Sequence, residues 1–169
     1  LEAAEIWNKR QIKELQRLAE ETSGETKQHY LSLADTLSRV PENHPTSFRE
    51  AVQSLWSMFA FQRLCGNWSG LGRVDQMLGP YLRKDLENGS ITIDEARELL
   101  AHFWIKGTEW RNVIEKYGGD AQYYQNVILG GIDKNGNQVY NEVSELVLDV
   151  VEELHISDYP VAVRVNNDT

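Results

Sequence analysis

An apolar strand–helix–strand pattern between residues 126 and 165 constrains the fold of this chain more than any other feature. Residues 126–132 form a short, almost wholly apolar run bounded by glycines, which is typical of a buried strand. Residues 142–154 carry apolar side chains at helical spacing after a capping Asn141, and 159–165 read as a second strand. Strands joined by a helix run parallel. The pattern predicts an α/β fold with one parallel βαβ unit.

Helices dominate the rest of the sequence. Their apolar periodicity predicts helices over 5–21, 30–39, 48–64, 74–86 and about 92–110. Two capping boxes of the type S/T-x-x-E, Ser47 with Glu50 and Thr92 with Glu95, mark the start of two helices. Helix 48–64 is apolar on nearly all sides, so we expect it to be buried. Gly79-Pro80 should kink or divide helix 74–86.

Composition excludes several classes of function. The 169 residues include 26 acidic and 17 basic side chains, a net charge of −9, which argues against binding to nucleic acid or to an anionic membrane. No window approaches a membrane span. The single Cys65 allows neither an intramolecular disulfide nor a cysteine-rich metal site within the chain. We therefore expect a cytoplasmic protein of one ordinary domain.

Isolated motifs support no catalytic site. The four histidines form no zinc-binding pair, and residues 133–137 fit a plain turn better than a calcium loop. The glycines between 66 and 72 lack the lysine of a phosphate-binding loop. For Cys65, a buried structural cysteine is favoured over an activated thiol. We predict no catalytic residue and no metal ligand in this chain.

The glycine-rich loop after helix 48–64 is the one unusual segment. Asn67, Trp68 and Ser69 place an amide, a large ring and a hydroxyl between glycines, which let the backbone bend and approach a ligand. Such a loop suits the wall of a small-molecule pocket. A packed loop in which Trp68 fills a gap and Ser69 caps the next helix is equally compatible with these residues.

Five stretches in order resemble the glycyl radical enzymes of the pyruvate formate-lyase superfamily. Their motifs are P-x-T-F-R-E-A-L-Q-x-x-W, G-R-x-D-Q-x-L-x-P-Y-Y-x-x-D, a helix ending in W-x-K, Q-N-x-x-L-G-G-x-D-x-x-G and Q-P-x-L-S-V-R. They match residues 45–56, 72–85, 91–106, 125–136 and 159–164. The resemblance covers 45–165, and 1–40 form a helical N-terminal segment of the same domain.

The resemblance implies a fragment of a ten-stranded α/β barrel that acts on a small-molecule substrate. In the family, a glycyl radical oxidises a cysteine on a loop inside the barrel, and the resulting thiyl radical attacks the substrate. A separate radical S-adenosylmethionine activating enzyme installs the radical, and the parent protein would be a homodimer. Reactions include carbon–carbon cleavage, elimination and decarboxylation. Cys65 does not occupy the thiyl position, so this chain would hold neither radical site.

Substrate-binding residues follow from the same resemblance. Positions before G-R-x-D-Q point toward the substrate and are commonly His-Ser in diol dehydratases, whereas Asn67 and Trp68 stand here, with Ser69 next. A bulky Trp68 would crowd a small polyol and indicates a substrate with an apolar part. Arg164 can face the pocket or pair with Asp75, and Arg73 with Asp75 reads as a structural pair.

Two functional hypotheses remain at this point. The first is a piece of a glycyl radical enzyme that supplies barrel scaffold and pocket wall, and the sequence, which opens without Met and ends on a strand pattern, favours it; a polypeptide trimmed to its ordered core would look the same. The second is a stand-alone helical domain for binding or assembly. A raw edge on strand 127–132 or 161–165 would favour the first hypothesis, and a closed small sheet would favour the second.

Overall fold

The computed structural model describes residues 2–65, 70–107, 126–156 and 159–165. Within these ranges the elements follow in the order α1 (Glu2–Glu20), α2 (Gly24–Arg39), α3 (Phe48–Leu64), β1 (Gly72–Arg73), α4 (Val74–Glu87), α5 (Ile93–Gly107), β2 (Val127–Gly130), α6 (Glu142–Leu154) and β3 (Val161–Arg164). The predicted helix-rich α/β class is confirmed. None of the helices in these ranges is long and apolar enough to cross a lipid bilayer.

The sheet has three parallel strands in the order β1–β2–β3. Helix α6 connects β2 to β3, so the βαβ prediction is confirmed. The two-residue strand β1 was not expected, because two residues carry no periodicity. Helices α4 and α5 each pack on α6 and on α3, and α4 also packs on β2. The core therefore lies between the helices and one face of the sheet.

Aromatic side chains fix the start of β3 against the helices. The ring of Tyr159 lies 5.9 Å from that of Phe59, 5.5 Å from Phe103 and 5.4 Å from Trp104, measured between centroids. Tyr159 is 3% exposed, and Trp104 is fully buried. Such tilted and edge-on ring contacts are favourable. Strand β3 is thereby positioned by the helical core as well as by its hydrogen bonds to β2.

Helix α4 runs undivided through Gly79-Pro80, so the expected division is wrong. A Cβ atom at Gly79 would lie 2.5 Å from the Nδ2 atom of Asn141. Asn141 caps α6 by accepting from the amide of Val143, and its Nδ2 donates to the carbonyls of Asp75 and Val139. Close packing of α4 on this cap holds the helix together across the hydrogen bond that proline cannot make.

The two predicted capping boxes differ. Thr92 and Glu95 bond reciprocally, as predicted. Ser47 accepts from the amide of Glu50, but the Glu50 carboxylate bonds the amide and hydroxyl of Thr46, each at 2.8 Å. The box of Ser47 and Glu50 is therefore only half formed. The Glu50 carboxylate also accepts from Arg39 at 2.6 Å, and this bond draws it away from Ser47.

Burial of α3 is one-sided within the described residues. Phe48, Phe59 and Ala60 are buried, whereas Met58 is 36% and Leu64 57% exposed. The expectation of all-round burial is therefore wrong, because the side of α3 that carries Met58 and Leu64 stays exposed.

Candidate functional site

One face of the parallel sheet turns away from the helical core. Register pairs Arg73 with Ile128, Ile128 with Ala162, and Gly130 with Arg164. Side chains alternate along a strand, so these residues share a face, opposite to Val127 and Leu129, which are fully buried. On the outward face Ala162 and Arg164 are exposed, and Ile128 is half-buried. Because parallel sheets are normally covered on both faces, this surface is where further structure or a ligand can bind.

Arg164 ends β3 on this outward face. Its stem lies over Gly131, where a Cβ atom would come within 3.1 Å of the Cβ and 3.3 Å of the Cδ of Arg164. Within the described ranges its guanidinium takes part in no hydrogen bond or ion pair. The expected alternative, a pair with Asp75, is not formed. A guanidinium presented in this way can bind a carboxylate or another anionic group.

Asp75 is fully buried and is held by the main chain and a hydroxyl. Its carboxylate accepts from the amide of Gly130 at 2.6 Å and from the Ser144 hydroxyl at 2.8 Å. Arg73 instead donates to the carbonyls of Gly130 and Ile132, at 3.0 and 2.9 Å. The predicted direct pair between Arg73 and Asp75 is therefore wrong. Asp75 accepts from the amide of Gly130, and Arg73 donates to the carbonyl of the same residue at the end of β2. Both side chains therefore have a structural role.

Tyr140 joins the same end of the sheet and was missed by the sequence reasoning. A Cβ atom at Gly130 would lie 3.8 Å from its Cδ2 atom. Burial raises the pKa of the Tyr140 hydroxyl above its ordinary value, and the nearby carboxylates of Glu145 and Asp149 raise it further. Tyr140 therefore stays a neutral hydrogen-bond donor at pH 7. Its ring makes an ordinary van der Waals approach to Gly130, which no sequence pattern indicated.

The predicted loop residues Asn67, Trp68 and Ser69 lie outside the described residues. Leu71, which leads into β1, is buried, and β1 enters the sheet at its amino end, whereas Arg164 stands at the carboxyl end of β3. Helix α4 has Arg73 as its N-cap residue, so Ser69 does not fill that position. Cys65 is exposed at the end of α3, and the expectation of a buried cysteine is wrong.

A family model described as pyruvate formate lyase-like matches residues 1–169. The chain belongs to this family. Its relative trans-4-hydroxy-L-proline dehydratase of Clostridioides difficile is 30% identical, over 99% of this chain and 22% of the relative. Indoleacetate decarboxylase of Tractidigestivibacter scatoligenes is 33% identical, over 87% of this chain and 17% of the relative.

Solved structures of glycyl radical enzymes share the fold of this pyruvate formate lyase-like chain. A glycyl radical enzyme from Archaeoglobus fulgidus superimposes with a TM-score of 0.85 at 32% identity, covering 98% of this chain and 22% of that one. The B12-independent glycerol dehydratase of Clostridium butyricum gives 0.86 at 29% identity, with coverages of 99% and 22%. The chain thus spans about a fifth of these relatives and corresponds to one part of a glycyl radical enzyme.

Proposed function

We propose that this chain supplies scaffold and one wall of the substrate pocket in a glycyl radical enzyme that transforms a small organic molecule. The observation that carries the proposal is the guanidinium of Arg164, exposed on the face of the parallel sheet that no described element covers. Ligands of open parallel sheets bind beside the carboxyl ends of the strands, where Arg164 lies. Arg164 then binds an anionic or strongly polar group of the substrate. The chain itself holds no residue that we assign to radical chemistry.

Asn67, Trp68 and Ser69 precede the amino end of β1 in the sequence, and we assign them to the part of the pocket wall at the other end of the strands from Arg164. The family motif that follows them at residues 72–76 supports this assignment. Trp68 favours a substrate with an apolar part over a small polyol such as glycerol, the ligand named for one structural relative. The amide of Asn67 and the hydroxyl of Ser69 supply hydrogen bonds that orient the substrate.

The proposed setting follows the family. A radical S-adenosylmethionine activating enzyme installs the glycyl radical on the full-length protein, which acts as a cytoplasmic homodimer. The acidic composition, with a net charge of −9, is compatible with this setting.

The deciding experiment replaces Arg164 by Gln in the full-length enzyme after activation. Candidate substrates are those of the relatives: trans-4-hydroxy-L-proline, indoleacetate and glycerol. Loss of a charge-assisted hydrogen bond should lower kcat/KM by about 10- to 100-fold on the accepted substrate. The radical yield by electron paramagnetic resonance should stay unchanged. Arg83→Gln, an exposed arginine on α4, is the matched control. An equal loss of radical in R164Q would assign Arg164 to the scaffold and refute its role in binding.

Trp68→Ala tests the other part of the wall in the same enzyme. Removing the ring should raise the activity on glycerol relative to the bulkier substrates, while radical yield is retained. An unchanged ranking of substrates would contradict the placement of Trp68 in the pocket.

A further inference from the structure

Helices α1, α2, α3 and α5 line a cavity of about 490 Å³ that is open to solvent. No residue of the sheet belongs to its lining. Lining residues recur at helical spacing on each helix, for example at Arg49, Gln53 and Trp56 on α3 and at Leu99, Phe103 and Lys106 on α5. One whole stripe of each helix therefore faces the cavity. Its volume lies in the range of small-molecule sites.

The walls combine aromatic rings with buried polar side chains. Trp7 and Trp56 line the cavity together with Asn8, Thr36 and Ser57, which are only 3%, 5% and 3% exposed. Ser57 accepts from the Nε2 atom of Gln53 at 3.1 Å. Asn8 donates to the carbonyl of Leu37 at 2.8 Å, and Thr36 donates to that of Ser32 at 3.0 Å, so these buried polar groups are hydrogen-bonded within the protein. A few polar groups on an apolar wall are typical of a ligand site.

The charge of the lining is opposite to that of the chain. Acidic residues outnumber basic ones 26 to 17 in the sequence, yet the described residues that line the cavity include no Asp or Glu. They do include Arg49, Lys106, His29 and His102. A cavity with this lining favours an anion.

Arg49 is the cation best placed to receive that anion. It is exposed and makes no hydrogen bond or ion pair to the described residues. The carboxylate of Glu95 lies within its electrostatic range, and one oxygen of that carboxylate accepts from the amide and hydroxyl of Thr92, each at 2.8 Å. On α5, the carboxylate of Glu98 lies 3.6 Å from the imidazole of His102. The guanidinium of Arg49 makes no bond to the described residues, so its donors can bind an anion in competition with Glu95.

We propose that this cavity binds an amphipathic organic anion, with its carboxylate on Arg49 and its aromatic or alkyl body between Trp7 and Trp56. The guanidinium supplies a charge-assisted hydrogen bond, and burial of the apolar body against the rings supplies most of the remaining affinity. This site is separate from the sheet face proposed for the substrate, and it needs no radical.

The test is isothermal titration calorimetry of 2-naphthoate into the full-length protein without activation. Saturable binding is expected for 2-naphthoate, and binding at least tenfold weaker for the neutral analogue 2-naphthol. Arg49→Gln should weaken 2-naphthoate binding about tenfold, and Arg83→Gln should leave it unchanged. Ser32→Trp, which adds a ring to an exposed position in the lining of the cavity, should abolish binding, whereas Ser38→Trp, on the same helix outside the lining, should not.

Three results would overturn the proposal. Absence of saturable binding at about 1 mM would show that the cavity is filled by another part of the protein. Equal affinity for 2-naphthoate and 2-naphthol, or equal effects of R49Q and R83Q, would remove the role of the charge. Because the measurement needs neither turnover nor radical, it is independent of the outcome for Arg164 and Trp68.

Discussion

Asp75 shows how one buried carboxylate joins three elements that are distant in sequence. It belongs to the first turn of α4, yet it bonds the terminal amide of β2 and a hydroxyl in the first turn of α6. The adjacent Arg73 misled the sequence-based expectation of an ion pair, because both residues bond to β2 and not to each other. Amide and hydroxyl donors satisfy a buried carboxylate without a second desolvated charge.

We expect Asp75→Asn to destabilise the protein by about 2–4 kcal/mol, because both oxygens of the buried carboxylate accept hydrogen bonds, and the NH2 group of Asn would face either the amide of Gln76 or the Gly130 amide and Ser144 hydroxyl. Ser144→Ala removes the hydroxyl bond to Asp75 and the bond that this hydroxyl accepts from the amide of Asn141, and should cost about 1–2 kcal/mol. Chemical unfolding followed by far-ultraviolet circular dichroism measures both. If the two variants were equally stable, the donor clash would not be the cause.

At the scale of elements, periodicity predicted most of the helices and the βαβ unit. It could not predict β1, since Gly72–Arg73 is defined only by its hydrogen bonds to β2. The partner of Glu50 was also hidden, because Arg39 belongs to another helix. For the candidate site, the family motif indicated Arg164, but the exposed face on which Arg164 lies follows only from the strand register. Tyr140 lies near Gly130, and no local sequence pattern relates these two residues.

The Arg39–Glu50 pair links α2 to α3 and should make stability depend on pH. Burial raises the pKa of Glu50, but the bonds from Thr46 and Arg39 outweigh it and hold the pKa below its ordinary value of 4.5. A carboxylate whose pKa is lower in the folded than in the unfolded state stabilises the protein at pH values above its unfolded-state pKa. This contribution is lost as pH falls below about 4.5.

Glu50→Gln should therefore lower the Tm at pH 7 and reduce the further loss of Tm between pH 5 and pH 3. Thermal scans across this range measure the difference, with Glu42→Gln, at an exposed position in the loop before α3, as the control. A pH slope in E50Q equal to that of the parent protein would contradict the assignment.

At the scale of the whole molecule, the chain divides into a core and a helical hairpin. Helices α4, α5 and α6 share one hydrophobic core with α3 and the sheet. The hairpin of α1 and α2 contacts α3 chiefly through the rings of Trp7 and Phe61, 6.2 Å apart, and the Arg39–Glu50 pair. A part of a protein that makes few buried contacts with the rest opens locally at a lower free-energy cost, so we expect the hairpin to open before the core.

Hydrogen exchange followed by mass spectrometry should show α1 and α2 exchanging before α6 and β2. E50Q should speed exchange in the hairpin and leave β2 unchanged, because the link and not the core is weakened. Simultaneous exchange of hairpin and core, in the parent protein and in E50Q, would mean that the chain opens as one cooperative unit.

The anchors of the glycine-rich loop have a consequence for substitutions within it. On one side, the amide of Cys65 bonds the carbonyl of Phe61; on the other, Leu71 is buried and the amide of Gly72 bonds the carbonyl of Asn126. Main-chain bonds and one apolar side chain hold both ends, whatever side chains stand between them. A substitution at 67–69 leaves these anchors in place, so the two ends of the loop stay fixed in the fold while the side chains between them change.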